Sequence, residues 1–237
     1  QPPELAARMA PADHALPPLE AVADLELDDR PDPSFRLVVP RAAAALPARV
    51  AVRLREVVVH SNRALLSSSV RVDAMVVTRS DPDADPYQAA TARFDRVRDG
   101  DRLPLDNLLV YEGPVGSFVD LAVWVARDDR RGLDLAELLR QEATGKDVRA
   151  AVAVLAGLAV AAPQAAVAAA SIAAVATLIR TGARLLDAAV GKGIGVYRTS
   201  LLPHERFGAG DPVGRHPESG LLRAQDMSFA YEVIAVK

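Results

Sequence analysis

The chain has 237 residues, half of them hydrophobic but only 4% aromatic, with a formal charge of −3 and no cysteine. That length gives one large domain, or two small ones, with ample material for an aliphatic core. The slight acidity argues against nucleic acid as a partner, which calls for a basic patch or a high pI. The missing thiols exclude disulfides and thiolate chemistry.

Residues 1–33 hold seven prolines, Pro17 and Pro18 adjacent, and more acids than bases, with Asp24, Glu26, Asp28 and Asp29 close together. This composition predicts a Pro-rich, acidic N-terminal arm, extended over its own domain or a neighbour, with disorder as the alternative. The chain opens on Gln1 rather than Met, so the sequence leaves open whether an N-terminal segment was processed or omitted. No signal-peptide pattern is present, and a cytoplasmic location is expected.

From residue 34 to 237 the pattern is that of one β-domain with a helical insertion at about 133–190. Phe35, Leu37 and Val39 alternate and stop at Pro40. Val50, Val52 and Leu54 alternate as well, but the phase then slips to Val57 and Val59, which predicts a bulge near Glu56. Val70, Val72, Ala74 and Val76 share a face opposite Arg71, Asp73 and Met75. Asp81, Asp83 and Asp85 follow in a proline-punctuated loop at 80–86. A short apolar strand at 108–111 ends at Glu112-Gly113-Pro114, a turn signal.

The clearest strand covers 118–126, with Val119, Leu121, Val123 and Val125 on one face and Phe118, Asp120, Ala122 and Trp124 on the other. A helix is expected to begin around 133–140, with Leu135, Leu138 and Leu139 inward. After the insertion, 194–201 and 228–236 read as strands flanking a Gly/Pro-rich loop at 203–220. Met227, Phe229, Tyr231 and Val233 make an aromatic-rich face.

Between Arg149 and Arg180 lie thirty residues without a charge, half of them Ala. Pro163 breaks the run, because it lacks an N–H and clashes with the preceding turn. Two helices are expected, the first from about Leu133 or Lys146 to Val160, the second from about Gln164 to Val190. Gly191 is placed for a left-handed C-cap. Each half is shorter than the ~20 residues of a membrane span, and Ala adds little to insertion. Ile172, Val175, Ile179, Gly182 and Leu186 fall on one helical face. A packed hairpin, buried on its own β-domain or on a second subunit, is the reading. Its contact residues are expected to be Val152, Leu155, Ile172, Val175, Ile179 and Leu186.

Strands spaced by turns, with the helices in one late block, predict a mainly β chain: an antiparallel β-sandwich carrying an Ala-rich α-helical hairpin. The segment VDLAVWVARDD (119–129) resembles the strand and acidic loop of C2 domains, with GKGIGVYRTSLL (191–202) and SFAYEVIAV (228–236) as later strands. The resemblance spans 48–129 and 191–236 and implies a C2-like sandwich. It departs from the family in its helical insertion and in an incomplete set of spaced aspartates.

Asp81, Asp83, Asp85, Asp128 and Asp129 are the candidate metal ligands, since Ca²⁺ takes six to eight oxygens. Against this, Ala92 and Pro86 stand where an EF-hand needs Glu and Gly. Arg127, Arg130 and Arg131 can neutralise the second acidic pair, so calcium-independence is expected and no cofactor is assigned. His14, His60, His204 and His216 show no metal spacing. Gly191, Gly193 and Gly195 follow a helix rather than a strand, so a phosphate loop is rejected.

The resulting expectation is a non-enzymatic binding or assembly module, its hairpin contacting a protein partner or another copy of the chain. Alternatives are a membrane-active C2-like protein whose hairpin docks on or inserts into a bilayer, and a hydrolase using His204, His216 or the aspartate loops.

Overall fold

The computed structural model describes residues 46–78, 85–128, 132–157, 164–210 and 221–236. Eight strands run in chain order: Arg49–Val59 (β1), Ser68–Thr78 (β2), Tyr87–Val97 (β3), Arg102–Pro114 (β4), Val119–Arg127 (β5), Gly193–Leu201 (β6), Leu222–Ala224 (β7) and Met227–Val236 (β8). Three helices, Leu135–Glu142 (α1), Lys146–Gly157 (α2) and Gln164–Ala189 (α3), lie between β5 and β6. The strands form two antiparallel four-stranded sheets, ordered β4-β1-β8-β7 and β3-β2-β5-β6. The chain is therefore mainly β, as expected.

Alternation builds the core between the sheets. Val50, Val52, Leu54, Val57 and Val59 of β1 meet Val70, Val72, Ala74 and Val76 of β2 and Val119, Leu121, Val123 and Val125 of β5 in one buried cluster. The phase slip in β1 is real. Leu54 pairs with Tyr231 and Glu56 with Ala230, so Arg55 is the extra residue and the strand keeps its valines inward on both sides of it.

A second buried cluster explains the helices. The middle strands β2 and β5 are buried on both faces. Met75, Val77, Phe118, Ala122, Trp124 and Ala126 point away from the first core and are covered by Leu135, Leu139, Val148, Leu155, Val175, Leu178 and Leu186. An antiparallel sheet usually leaves one face to water. Here the middle of that face is apolar, and the described part of the helical insertion covers it. The small residues let α3 come close: a Cβ added at Gly182 would lie 3.7–3.8 Å from Trp124, Leu135 and Met75.

Several expectations change. Ile172 is 66% exposed and does not join Val175 and Leu186 on the buried face, which instead uses Ser171, Ala174, Leu178 and Thr181. Counting only bulky residues rotated the stripe, because a close approach to a sheet favours Ala, Ser and Thr. Gly191 takes no left-handed cap; its N–H donates to the Arg127 carbonyl as the chain enters β6. β3 and β7 were not anticipated, and β4 runs well beyond 108–111. The 35–39 strand, the arm at 1–33, most of the aspartate loop and the helix link at 158–163 lie outside the described residues.

Candidate functional site

Of the acidic residues singled out as metal candidates, only Asp85 and Asp128 are among the described residues. Asp81, Asp83 and Asp129 lie outside the described residues, and Asp85 is exposed. Asp128 is buried, and its Oδ2 accepts from Arg93 Nε at 2.9 Å. The base that meets it comes from β3 across the sheet. Among the described residues no three His, Asp or Glu are placed to hold a metal ion. His204 lies 3.8 Å from Glu205 on the surface. His60 Nε2 sits 2.6 Å from the Ser228 hydroxyl, while His14 and His216 fall outside the described residues.

Of the expected contact residues, Leu155, Val175 and Leu186 are buried in the second core, and Val152 and Ile179 pack against it. Only Ile172 is open to solvent.

Arg93 and Asp128 belong to a polar seam that fastens α1 to the sheet. The Arg71 and Asp73 side chains, 0% and 1% exposed, form a two-pronged ion pair, with Nε and Nη2 each 2.6 Å from a carboxylate oxygen. The Thr91 hydroxyl donates to Asp73 at 2.6 Å and accepts the Leu135 N–H at 3.0 Å, capping α1 from a neighbouring strand. Arg71 also donates to the Leu133 carbonyl at 3.1 Å, and Arg93 reaches Asp134 and the Gly132 carbonyl. Burial pushes the Asp73 carboxyl above its usual range, against the pull of the hydrogen bonds and charge of Arg71 and of the Thr91 hydroxyl. These groups are spent on structure. So is Asp120, which accepts from Ser200 at 2.6 Å and from Arg198 at 3.3 Å.

The unspent feature is the loop between β1 and β2. Leu65 and Leu66 are 102% and 85% exposed, the two most exposed large hydrophobic residues described. Their loop is not loose. Asn62, fully buried, donates its side-chain amide to the Val97 carbonyl and its N–H to Asp99 Oδ1, both at 2.7 Å, and accepts the Ala64 N–H at 2.8 Å. Arg63, left-handed at φ 55°, donates to Asp226 at 2.6–2.7 Å, and its carbonyl accepts from Arg127 Nη1 at 3.3 Å. A strained, well-bonded base thus holds two leucines out into water.

Charge around this tip is uneven in use. Asp226 is paired with Arg63, while Asp99 and Asp101 accept from the neutral N–H groups of Asn62 and Arg98 and keep their charge. The side chains of Arg98 and Lys192 make no hydrogen bond or ion pair among the described residues, and both are exposed. Sequence reading missed the tip because a Leu-Leu pair between short polar runs looks like any loop. The signal available was the Ser61-Asn62 and Ser67-Ser68-Ser69 punctuation that forces those leucines out of both strands.

No described helix is long and apolar enough to cross a membrane. No protein-family model, curated protein or solved structure matches the chain.

Proposed function

We propose that the chain is a non-catalytic docking module of the C2-like type, whose Leu65–Leu66 tip enters the interface of an anionic bilayer. The observation that carries this reading is the pair of fully solvated leucines on a loop base fixed by Asn62 and Arg63. Burying a leucine is favourable by about 1.5–3 kcal/mol, so the pair offers about 3–6 kcal/mol before the cost of orientation. Exposed Arg98 and Lys192 each contribute about 1 kcal/mol where they meet an anionic surface, offset in part by Asp99 and Asp101, whose partners are neutral N–H groups. The sum corresponds to a reversible, salt-sensitive attachment. The two four-stranded antiparallel sheets are compatible with a C2-like sandwich. Because Arg93 occupies Asp128, docking is independent of calcium. α2 and α3 act as a helical hairpin that covers the sheet.

Co-sedimentation with vesicles tests this. The wild type is expected to pellet with phosphatidylserine-containing vesicles, less with pure phosphatidylcholine, and to lose most binding in Leu65→Ser/Leu66→Ser. Equal binding by that variant, or none by the wild type, would remove the reading.

A second reading is protein contact through the helical layer. Its support is Ile172, 66% exposed on α3, and Val154, 37% exposed on α2. Among the described residues, Leu155, Val175, Leu178 and Leu186 of the hairpin are buried in the second core.

A further inference from the structure

The sheet edges are not alike. At the β4 edge, pairing with β1 slips twice, Pro104 sits within the strand, and Asp106 and Asn107 are left-handed at φ 48° and 58°. The β3 edge has a register break, a left-handed Arg96 and α1 packed beside it. Beyond the three residues of β7, Ala209 bridges to Val233, and the Gly210 N–H donates to the Val233 carbonyl. Bulges, proline, short strands and covering segments are how sheets avoid adding strands.

β6 has no bulge, proline or short length to protect it between Gly195 and Leu201, and β7 and the turn at 203–208 lie beside it only at its ends. From Gly195 to Leu201 its register with β5 is unbroken, with no proline, lysine, acid or left-handed residue. Its outer edge is met at one end, where the Asp226 N–H donates to the Ile194 carbonyl; among the described residues no other backbone bond reaches that edge. Alternate residues of a strand turn their N–H and C=O away from the neighbour they pair with. Val196 on the same stretch is 50% exposed.

We infer that β6 is an association edge that pairs antiparallel with β6 of a second copy of this chain. Pairing centred on Tyr197 sets Val196 opposite Arg198 and Gly195 opposite Thr199, twice over, as a two-fold interface requires. The one charge on the strand, Arg198, is already held by Asp120 at 3.3 Å. The two copies therefore bring no uncompensated like charges together. The aliphatic stem of each Arg198 covers the Val196 of the other copy, and two four-stranded sheets become one of eight strands. This inference is independent of the bilayer reading, which uses the loop tip.

Sedimentation equilibrium of the full chain from about 1 µM to about 1 mM tests it. The wild type is expected to shift from 25.1 kDa towards twice that mass. Val196→Lys, which aims an ammonium at Arg198 of the second copy, is expected to remain monomeric with an unchanged melting temperature. Hydrogen exchange of the wild type serves as a second measurement: amides at 195–200 are expected to exchange more slowly in concentrated than in dilute solution. A wild type that stays monomeric throughout overturns the inference and leaves the edge to an extended segment of a different protein. Association of Val196→Lys equal to wild type, or exchange that ignores concentration, overturns it as well.

Discussion

Replacing Asp73 by Ala isolates the energetics of the seam that binds the helices to the sheet. The substitution removes both oxygens that take the Arg71 Nε and Nη2, and the acceptor of the Thr91 hydroxyl. Arg71, 0% exposed, keeps a single bond, to the Leu133 carbonyl. Breaking a buried pair while leaving one charge behind costs about 3–5 kcal/mol. At about 2–4 °C per kcal/mol for a domain of this size, the melting temperature falls by about 6–20 °C. Urea unfolding followed by far-ultraviolet circular dichroism reads the loss directly. The double variant Arg71→Met/Asp73→Leu removes both charges and is expected to be near neutral or stabilised. The pH dependence has a fixed sign. The folded carboxyl titrates above the ordinary carboxylate value of 3.8 because of burial, so its contribution favours folding below that value and fades as pH rises through the folded pKa. The stability of wild type relative to the non-titrating Asp73→Asn should thus rise as pH falls towards 3.8. A cost below about 1 kcal/mol for Asp73→Ala, or a double variant as damaged as the single one, would refute the reasoning.

Two glycines should respond in opposite directions. Gly182→Ala, whose Cβ meets its neighbours at 3.7–3.8 Å, is expected to stabilise α3 by about 0.5–1 kcal/mol in thermal melts. Gly195→Ala, whose Cβ would lie 2.5 Å from Met227 Cγ and 2.7 Å from the Ala224 carbonyl oxygen, is expected to cost about 1–3 kcal/mol by overpacking. Millimolar Ca²⁺ is expected to leave the melting temperature unmoved, because Arg93 already neutralises Asp128; a rise of several degrees would contradict this.

The two-faced apolarity of 118–126 was readable from composition: a half-buried strand would not carry Trp124 and Ala122 opposite Val123 and Val125. What residue order left open is whether the uncharged insertion packs on its own β-domain or on a second subunit; its described residues Ala151, Leu155, Val175 and Leu178 belong to the cluster on that second face. Periodicity assigns a stripe to a helix but not the surface it meets. Ile172 was misplaced because bulk alone set the stripe, whereas the sheet selected Ala174 and Ser171. β3 was invisible because it alternates small and charged residues with little contrast in hydropathy. β4 was cut short because Asp106 and Asn107 are turn formers sitting inside a strand. The Arg93–Asp128 and Asn62–Val97 links join residues 35 positions apart in both cases, beyond any local pattern.

The docking claim is tested most directly by placing a tryptophan at the tip, Leu66→Trp. The one natural tryptophan, Trp124, is buried in the second core and reports little on solvent. With phosphatidylserine-containing vesicles, the new fluorophore is expected to shift to the blue and to be quenched by lipids brominated near the headgroup end of the acyl chain. The tip would then lie about 5–10 Å into the interface. Emission that stays solvent-like with vesicles in excess, and is untouched by brominated lipid, would contradict the account.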